Sequence, residues 1–176
     1  MARETSLWKW LSNARDVLRD RLDLRRVEDA IGAGFPDVDG FVQIMDRKRT
    51  ACGNDEWDEL HELFGFKIEL KSEVRPAKAS TPIRFALERR KAQIEFMRKR
   101  YAMGEAAYFL LQVGEGADRM LYLAPGDAGA RLRAGMLESE LAVLCATENG
   151  MVFDKKTKPA TVIEGIWKCS KRRQLP

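Results

Sequence analysis

The stretch from Phe66 to Ser72, FKIELKS, decides how this chain is read. Phe66, Ile68 and Leu70 alternate with Lys67, Glu69 and Lys71, a period of two that predicts a β-strand with one apolar and one charged face. Upstream, the turn Gly34-Phe35-Pro36 leads through Asp37 into a second predicted strand, Val38 to Ile44. Paired strands would bring Asp37, Glu69 and Lys71 onto one face, because side chains two apart on a strand point the same way. The intervening residues 45–65 are polar and contain Gly53 and Asn54, then Trp57, Leu60, Leu63 and Phe64 at helical spacing. They read as an insertion on a hairpin.

Outward from this pair, helical periodicity predicts an amphipathic helix from Ser6 to Leu22 on Trp8, Leu11, Leu18 and Leu22, and a short helix from Leu24 to Ile31 on Leu24, Val27 and Ile31. A longer helix is predicted from Pro82 to Ala102, capped by Thr81, with Ile83, Leu87, Ile94, Met97 and Tyr101 as its stripe. The continuous apolar run AAYFLLQV (Ala106 to Val113) predicts a strand covered on both faces. Met120 to Leu123 predicts one more strand and Leu137 to Glu148 a last helix, and the tail beyond is left unassigned. This order predicts an α/β fold with a central mixed sheet flanked by helices. The chain divides into an N-terminal helix (1–23), a core (24–125) with its insertion at 45–65, and a C-terminal helix and tail (126–176).

Hydrophobic residues make up 45% of the 176 and charged residues 33%, the balance of a globular chain. No apolar run approaches the roughly 20 residues that span a bilayer, and the opening MARETSLWKW is too polar for a signal peptide, so the expected compartment is the cytoplasm. Cys52, Cys145 and Cys169 are far apart and His61 is the sole histidine, which argues against a zinc site or a histidine-dependent triad. The net charge is +4, with basic residues concentrated at Arg84, Arg89, Arg90, Lys91, Arg98, Lys99 and Arg100 against only Glu88 and Glu95. Such a block fits a surface that meets phosphates, and equally a solvated helix face.

Hydrolysis of a phosphodiester requires an activated water and positive charge near the transition state, which carboxylates holding Mg²⁺ supply. Asp37, Glu69 and the main-chain carbonyl of Leu70 form an oxygen set suited to that hard cation, with Lys71 placed to position or deprotonate the water. The sequence leaves open which of those roles Lys71 takes, since burial and neighbouring carboxylates shift its pKa in opposite directions. Asp39, one alternation from Asp37, is a secondary candidate ligand. Taken alone, Glu-x-Lys on an alternating strand describes a solvated face, and Pro-Asp a turn.

Three blocks in order change that reading: RVEDAIGAGFPDVDG (Arg26 to Gly40), FKIELKS, and RRKAQIEFMRKRYAMGEAAYFLLQVG (Arg89 to Gly114). Together they resemble the PD-(D/E)XK nuclease superfamily, in particular its VRR-NUC and phage Holliday-junction-resolvase-like branch, over roughly residues 24–125. The resemblance implies a restriction-endonuclease-like core and an Mg²⁺- or Mn²⁺-dependent DNA endonuclease, phage-type, acting on branched DNA as a homodimer in the host cytoplasm. It implies that Glu28 is the acidic residue of the first core helix, Asp37 the aspartate of the PD element, Glu69 and Lys71 the ExK pair, and Gln93 the glutamine of the following helix. A nicking or restriction-like nuclease of the same chemistry, or an inactive DNA-binding relative, is the alternative. The 32 residues from Asp37 to Glu69 exceed the hairpin usual in compact phage members. Trp8 and Trp10 at one end, and Val162, Ile163, Ile166 and Trp167 at the other, are apolar residues left over for a dimer interface or, equally, for folding back on the same domain.

Overall fold

Six strands form along this chain because five stretches alternate or run apolar and a sixth, very short, closes the edge. The structure is a computed structural model and describes residues 2–27, 36–49, 57–87 and 91–174. Among these residues β1 (Leu22–Arg26), β2 (Val38–Arg49), β3 (Trp57–Glu73), β4 (Ala106–Val113), β5 (Met120–Pro125) and β6 (Met151–Phe153) lie side by side in sequence order. Neighbours are antiparallel except β3 and β4, which are parallel. A parallel pair needs a crossover, and this one carries α3 (Lys91–Ala102). The helices before it are α1 (Ala2–Ser12) and α2 (Ala14–Leu18); those after it are α4 (Gly129–Ala134), α5 (Glu138–Thr147) and α6 (Pro159–Gln174).

Strand alternation sorts the helices into two layers. Tyr108 shares a hydrogen bond of 3.2 Å with Ser170 of α6, and α1 and α2 pack on α6, so these three helices cover the face that carries Leu24, Val38, Phe66, Ile68 and Leu110. On the opposite face Phe109 meets Ile94 of α3 across Gly129 of α4, and the Tyr122 hydroxyl donates to Glu138 at the head of α5 at 2.8 Å. That second layer lies over β4 and β5. Over β1 to β3 the same face is left open, with Asp23, Arg25, Phe41, Gln43, Leu63 and Gly65 exposed to solvent.

The expected α/β sheet with flanking helices is therefore present, and the strands expected at 38–44, 66–71, 106–113 and 120–123 all form. The helix expected at 137–148 forms as α5, and the unassigned tail supplies β6 and α6. The helix expected from Ser6 to Leu22 is divided at Asn13 into α1 and α2 and ends at Leu18, before Leu22 opens β1. Three further expectations are corrected. Leu24 does not begin a helix: Leu22 and Leu24 are buried while Asp23 and Arg25 are exposed, and pairing with β2 fixes this period of two as β1. Residues 57–64 are not helical either. They continue β3 outward against residues 42–49 of β2, with Phe64 opposite Val42 and Trp57 opposite Arg49 in the register. Beyond Val42 and Phe66, where β1 and β4 cease to pair, the two strands form a projecting ribbon.

The third correction concerns the helix expected from Pro82, since the described helix begins at Lys91. Ile83, Phe85 and Leu87 are buried with Arg84 and Ala86 exposed, and Ile83 bridges to Met136, as in an extended segment. Ile83 and Leu87, four apart, satisfy either period. The Glu28 position, Arg89 and Arg90 lie outside the described residues.

Candidate active site

The site arises from a mismatch in strand length. The first residue of β2, Val38, pairs with Ile68, whereas β3 and β4 run on together to Glu73 and Val113. This leaves a notch along β3 from Glu69 to Glu73. Asp37 sits at its mouth: its Oδ2 accepts the Leu70 N–H at 2.9 Å, taking the place of a further rung, and its main-chain carbonyl accepts the Val27 N–H at 2.9 Å.

Into this notch point Glu69 and Lys71, on the face shared with Phe109 and Leu111. They are 0% and 2% exposed, which is exceptional for charged side chains and requires compensation. The Lys71 ammonium lies 2.6 Å from Glu69 Oε1, 3.2 Å from Glu4 Oε1 and 3.6 Å from Asp37 Oδ2, and it donates to the Leu70 carbonyl at 2.8 Å. Gln93, buried in the first turn of α3, donates through Nε2 to Glu69 Oε2 and fixes that carboxylate from the other side. Helices from both layers therefore reach the notch, Glu4 from α1 and Gln93 from α3.

Burial alone would pull the Lys71 pKa down, but the carboxylates of Glu69, Asp37 and Glu4 outweigh it and hold the pKa above the ordinary lysine value. Lys71 is thus an ammonium at neutral pH in this arrangement. The carboxylates of Glu69, Glu4 and Asp37 all lie within 3.6 Å of this one ammonium, an acidic, oxygen-rich setting suited to a divalent cation. Every donor is oxygen, which is the preference of Mg²⁺ and Mn²⁺. Among the described residues no group of three or more His, Cys, Asp or Glu side chains is already gathered to hold a metal ion. The Lys71 ammonium lies between the oxygens.

Of the residues expected at the site, Asp37, Glu69, Lys71, Gln93 and the Leu70 carbonyl come together. Asp39 does not join them: its Oδ1 accepts from Lys67 at 3.0 Å, one alternation further from the notch. Glu4 was missed. An acidic residue in the first turn of a helix is ordinary, so the sequence around Glu4 carries no signal for it.

The basic block divides. Lys91 is exposed at the first residue of α3, close in sequence to Gln93. Arg98, Lys99 and Arg100 lie roughly 8–11 Å further along the helix axis than Gln93, at 1.5 Å per residue. Arg98 is paired with Glu95 at 2.6 Å, and Arg100 with Glu105 at 2.6 Å while stacking over Phe96. Arg84 is exposed on the extended segment. Beyond the notch, Arg75 grips Glu138 of α5 through two bonds of 2.7 and 2.8 Å, and the Tyr122 hydroxyl donates to the same carboxylate. This anchors the chain as it leaves β3.

No protein-family model, no curated protein and no solved structure matches this chain.

Proposed function

We propose that this chain is a divalent-metal-dependent DNA endonuclease of the PD-(D/E)XK type, acting on branched DNA in the manner of the VRR-NUC and Holliday-junction-resolvase-like branch. The observation that carries this reading is the buried Lys71 ammonium set among Glu69, Asp37, Glu4 and the Leu70 carbonyl. The sequence blocks that resemble the superfamily are the same ones that build the notch.

In this reading Asp37, Glu69 and the Leu70 carbonyl would hold Mg²⁺, with the Glu4 carboxylate close by; Glu28, the acidic residue that the resemblance assigns to the first core helix, lies outside the described residues. When bound, the cation supplies charge neutralisation at the phosphate and a water of lowered pKa. Gln93 holds the Glu69 carboxylate in one orientation, and the Leu70 N–H does the same for Asp37, so neither ligand has to be ordered when the substrate arrives. Lys71 places a positive donor beside the same oxygens, where it orients the attacking water and balances charge on the phosphate.

A junction-cutting enzyme works as a symmetric pair, and the homodimer belongs to this proposal. Its interface is not the one expected from sequence. Val162, Ile163 and Ile166 are fully buried in the chain's own core, and Trp8 and Trp10 pack against that core, Trp10 beneath the Arg119 guanidinium at 4.8 Å.

The test is incubation with Mg²⁺ and end-labelled four-way, flap, splayed and linear DNA of equal length, with light scattering on the same preparation. Preferential cutting of the branched forms by a dimer is expected. Equal cutting of linear duplex by a monomer would replace this proposal with a nicking or restriction-like nuclease.

A further inference from the structure

The sheet face that holds Glu69 and Lys71 continues outward along β2 and β3, where among the described residues no helix lies over it and Phe41 presents an exposed aromatic ring. Phe41 is 45% exposed and lies directly across from Gly65 in the β2–β3 register. A Cβ built on Gly65 would lie 3.0 Å from the Phe41 ring, so the ring leans over the glycine. The glycine leaves room for a flat ring and the missing helix leaves part of that ring in solvent. Asp37, Asp39 and Phe41 share this face, so Phe41 stands about 14 Å from Asp37 at 3.4 Å per residue. Between them the Asp39–Lys67 ion pair puts no net charge in the path.

We infer that Phe41 is a stacking platform for an unpaired base a few nucleotides from the phosphate held at Lys71. This rests on the nuclease reading above and narrows its substrate to strands with unpaired bases beside the cut. Bases inside a duplex cannot reach a flat ring on a sheet, whereas unpaired bases stack on one regardless of sequence. A second copy of this chain is a poorer occupant. Phe41 and Leu63, set among Asp23, Arg25, Asp39, Gln43 and Lys67, are the large apolar side chains exposed there among the described residues, and two of them fall short of the apolar core that a dimer interface requires.

The experiment uses the full chain in EDTA with splayed-arm DNA carrying 2-aminopurine at successive unpaired positions, and a fully paired duplex of the same length. Wild type and Phe41→Tyr are expected to quench the fluorophore at one or two positions. Phe41→Leu keeps Gly65 covered but is expected to lose that quenching and to bind the splayed DNA at least about fivefold more weakly, with duplex binding unchanged. Phe41→Met gives the same comparison if the leucine variant fails to fold. Unchanged quenching and affinity in a folded Phe41→Leu or Phe41→Met, or a dimer that dissociates instead, overturns the platform alone. A wild type that binds none of these DNAs overturns the nuclease reading as well.

Discussion

β3 and β4 are neighbouring strands in parallel register, Glu69 beside Phe109 and Lys71 beside Leu111, yet they solve opposite problems. Every residue of β4 is buried, and its side chains are apolar apart from Gln112 and the Tyr108 hydroxyl. β3 buries apolar side chains on one face and two opposite charges on the other. The difference comes from what lies on either side of each strand. β4 is paired along both edges and covered by helices on both faces, while β3 outlasts β2 and borders an open face. A strand in the first setting contributes stability through apolar burial. In the second, the same depth of burial keeps charges dry enough to interact strongly and close enough to solvent to meet a substrate.

Emptying the β4 side breaks this comparison most severely. Phe109→Ala removes a ring packed against Ile94 and is expected to cost about 3–5 kcal/mol in chemical denaturation. On the β3 side, Lys71→Met leaves three carboxylates without their cation and is expected to cost a similar amount, on the order of 3 kcal/mol at pH 7. The two losses differ in kind. That of Lys71→Met shrinks as the pH falls through the carboxylate range and shrinks again in millimolar Mg²⁺, whereas that of Phe109→Ala does neither. Thermal melts across pH and Mg²⁺ concentration separate them, and equal responses would refute the account of Lys71 as the ammonium of a carboxylate cluster.

The wild-type pH dependence follows from the same cluster. Because the Lys71 pKa is raised on folding, its contribution is fully present below the unfolded lysine value of about 10.4 and is lost as pH rises through the folded value. Melts between pH 9 and the onset of alkaline unfolding are expected to fall more steeply for wild type than for Lys71→Met. Identical slopes would place Lys71 outside the coupled cluster.

A smaller effect concerns the two ends of α3. Lys91→Ala is expected to lower the slope of log affinity against log salt by about 0.9, the loss of one phosphate contact, while Arg98→Ala leaves it unchanged because Glu95 already holds that side chain. Reversal of this pattern would move the DNA path to the far end of the helix.

What could be read in the sequence follows the same division. β4 and the inner part of β3 were legible because burial on both faces, or strict alternation, leaves one period open. Glu69 and Lys71 could be placed on one face because they sit on such an element, whereas Asp37 was read from the turn before β2 and Gln93 was singled out only by the resemblance to the superfamily. β1 and the segment from Ile83 to Leu87 were misread because five or six residues with apolar positions two or four apart satisfy both periods, and only pairing with β2 or with Met136 decides between them. The outer ribbon was misread for a related reason: Trp57, Leu60, Leu63 and Phe64 fall at helical spacing, and only pairing with β2 fixes the segment as strand. Glu4 lay further out of reach, since more than sixty residues separate it from Lys71 and only the packing of α1 over β3 unites them.

The most direct test of the account is single-turnover cleavage of a labelled four-way junction by wild type and Glu69→Gln, each in Mg²⁺ and in EDTA, with binding measured in parallel. The account predicts cutting by wild type in Mg²⁺ only, a rate at least about 10²-fold lower for Glu69→Gln, and junction affinity little changed by the substitution. Cleavage by wild type in EDTA, or by Glu69→Gln at the wild-type rate, would contradict it.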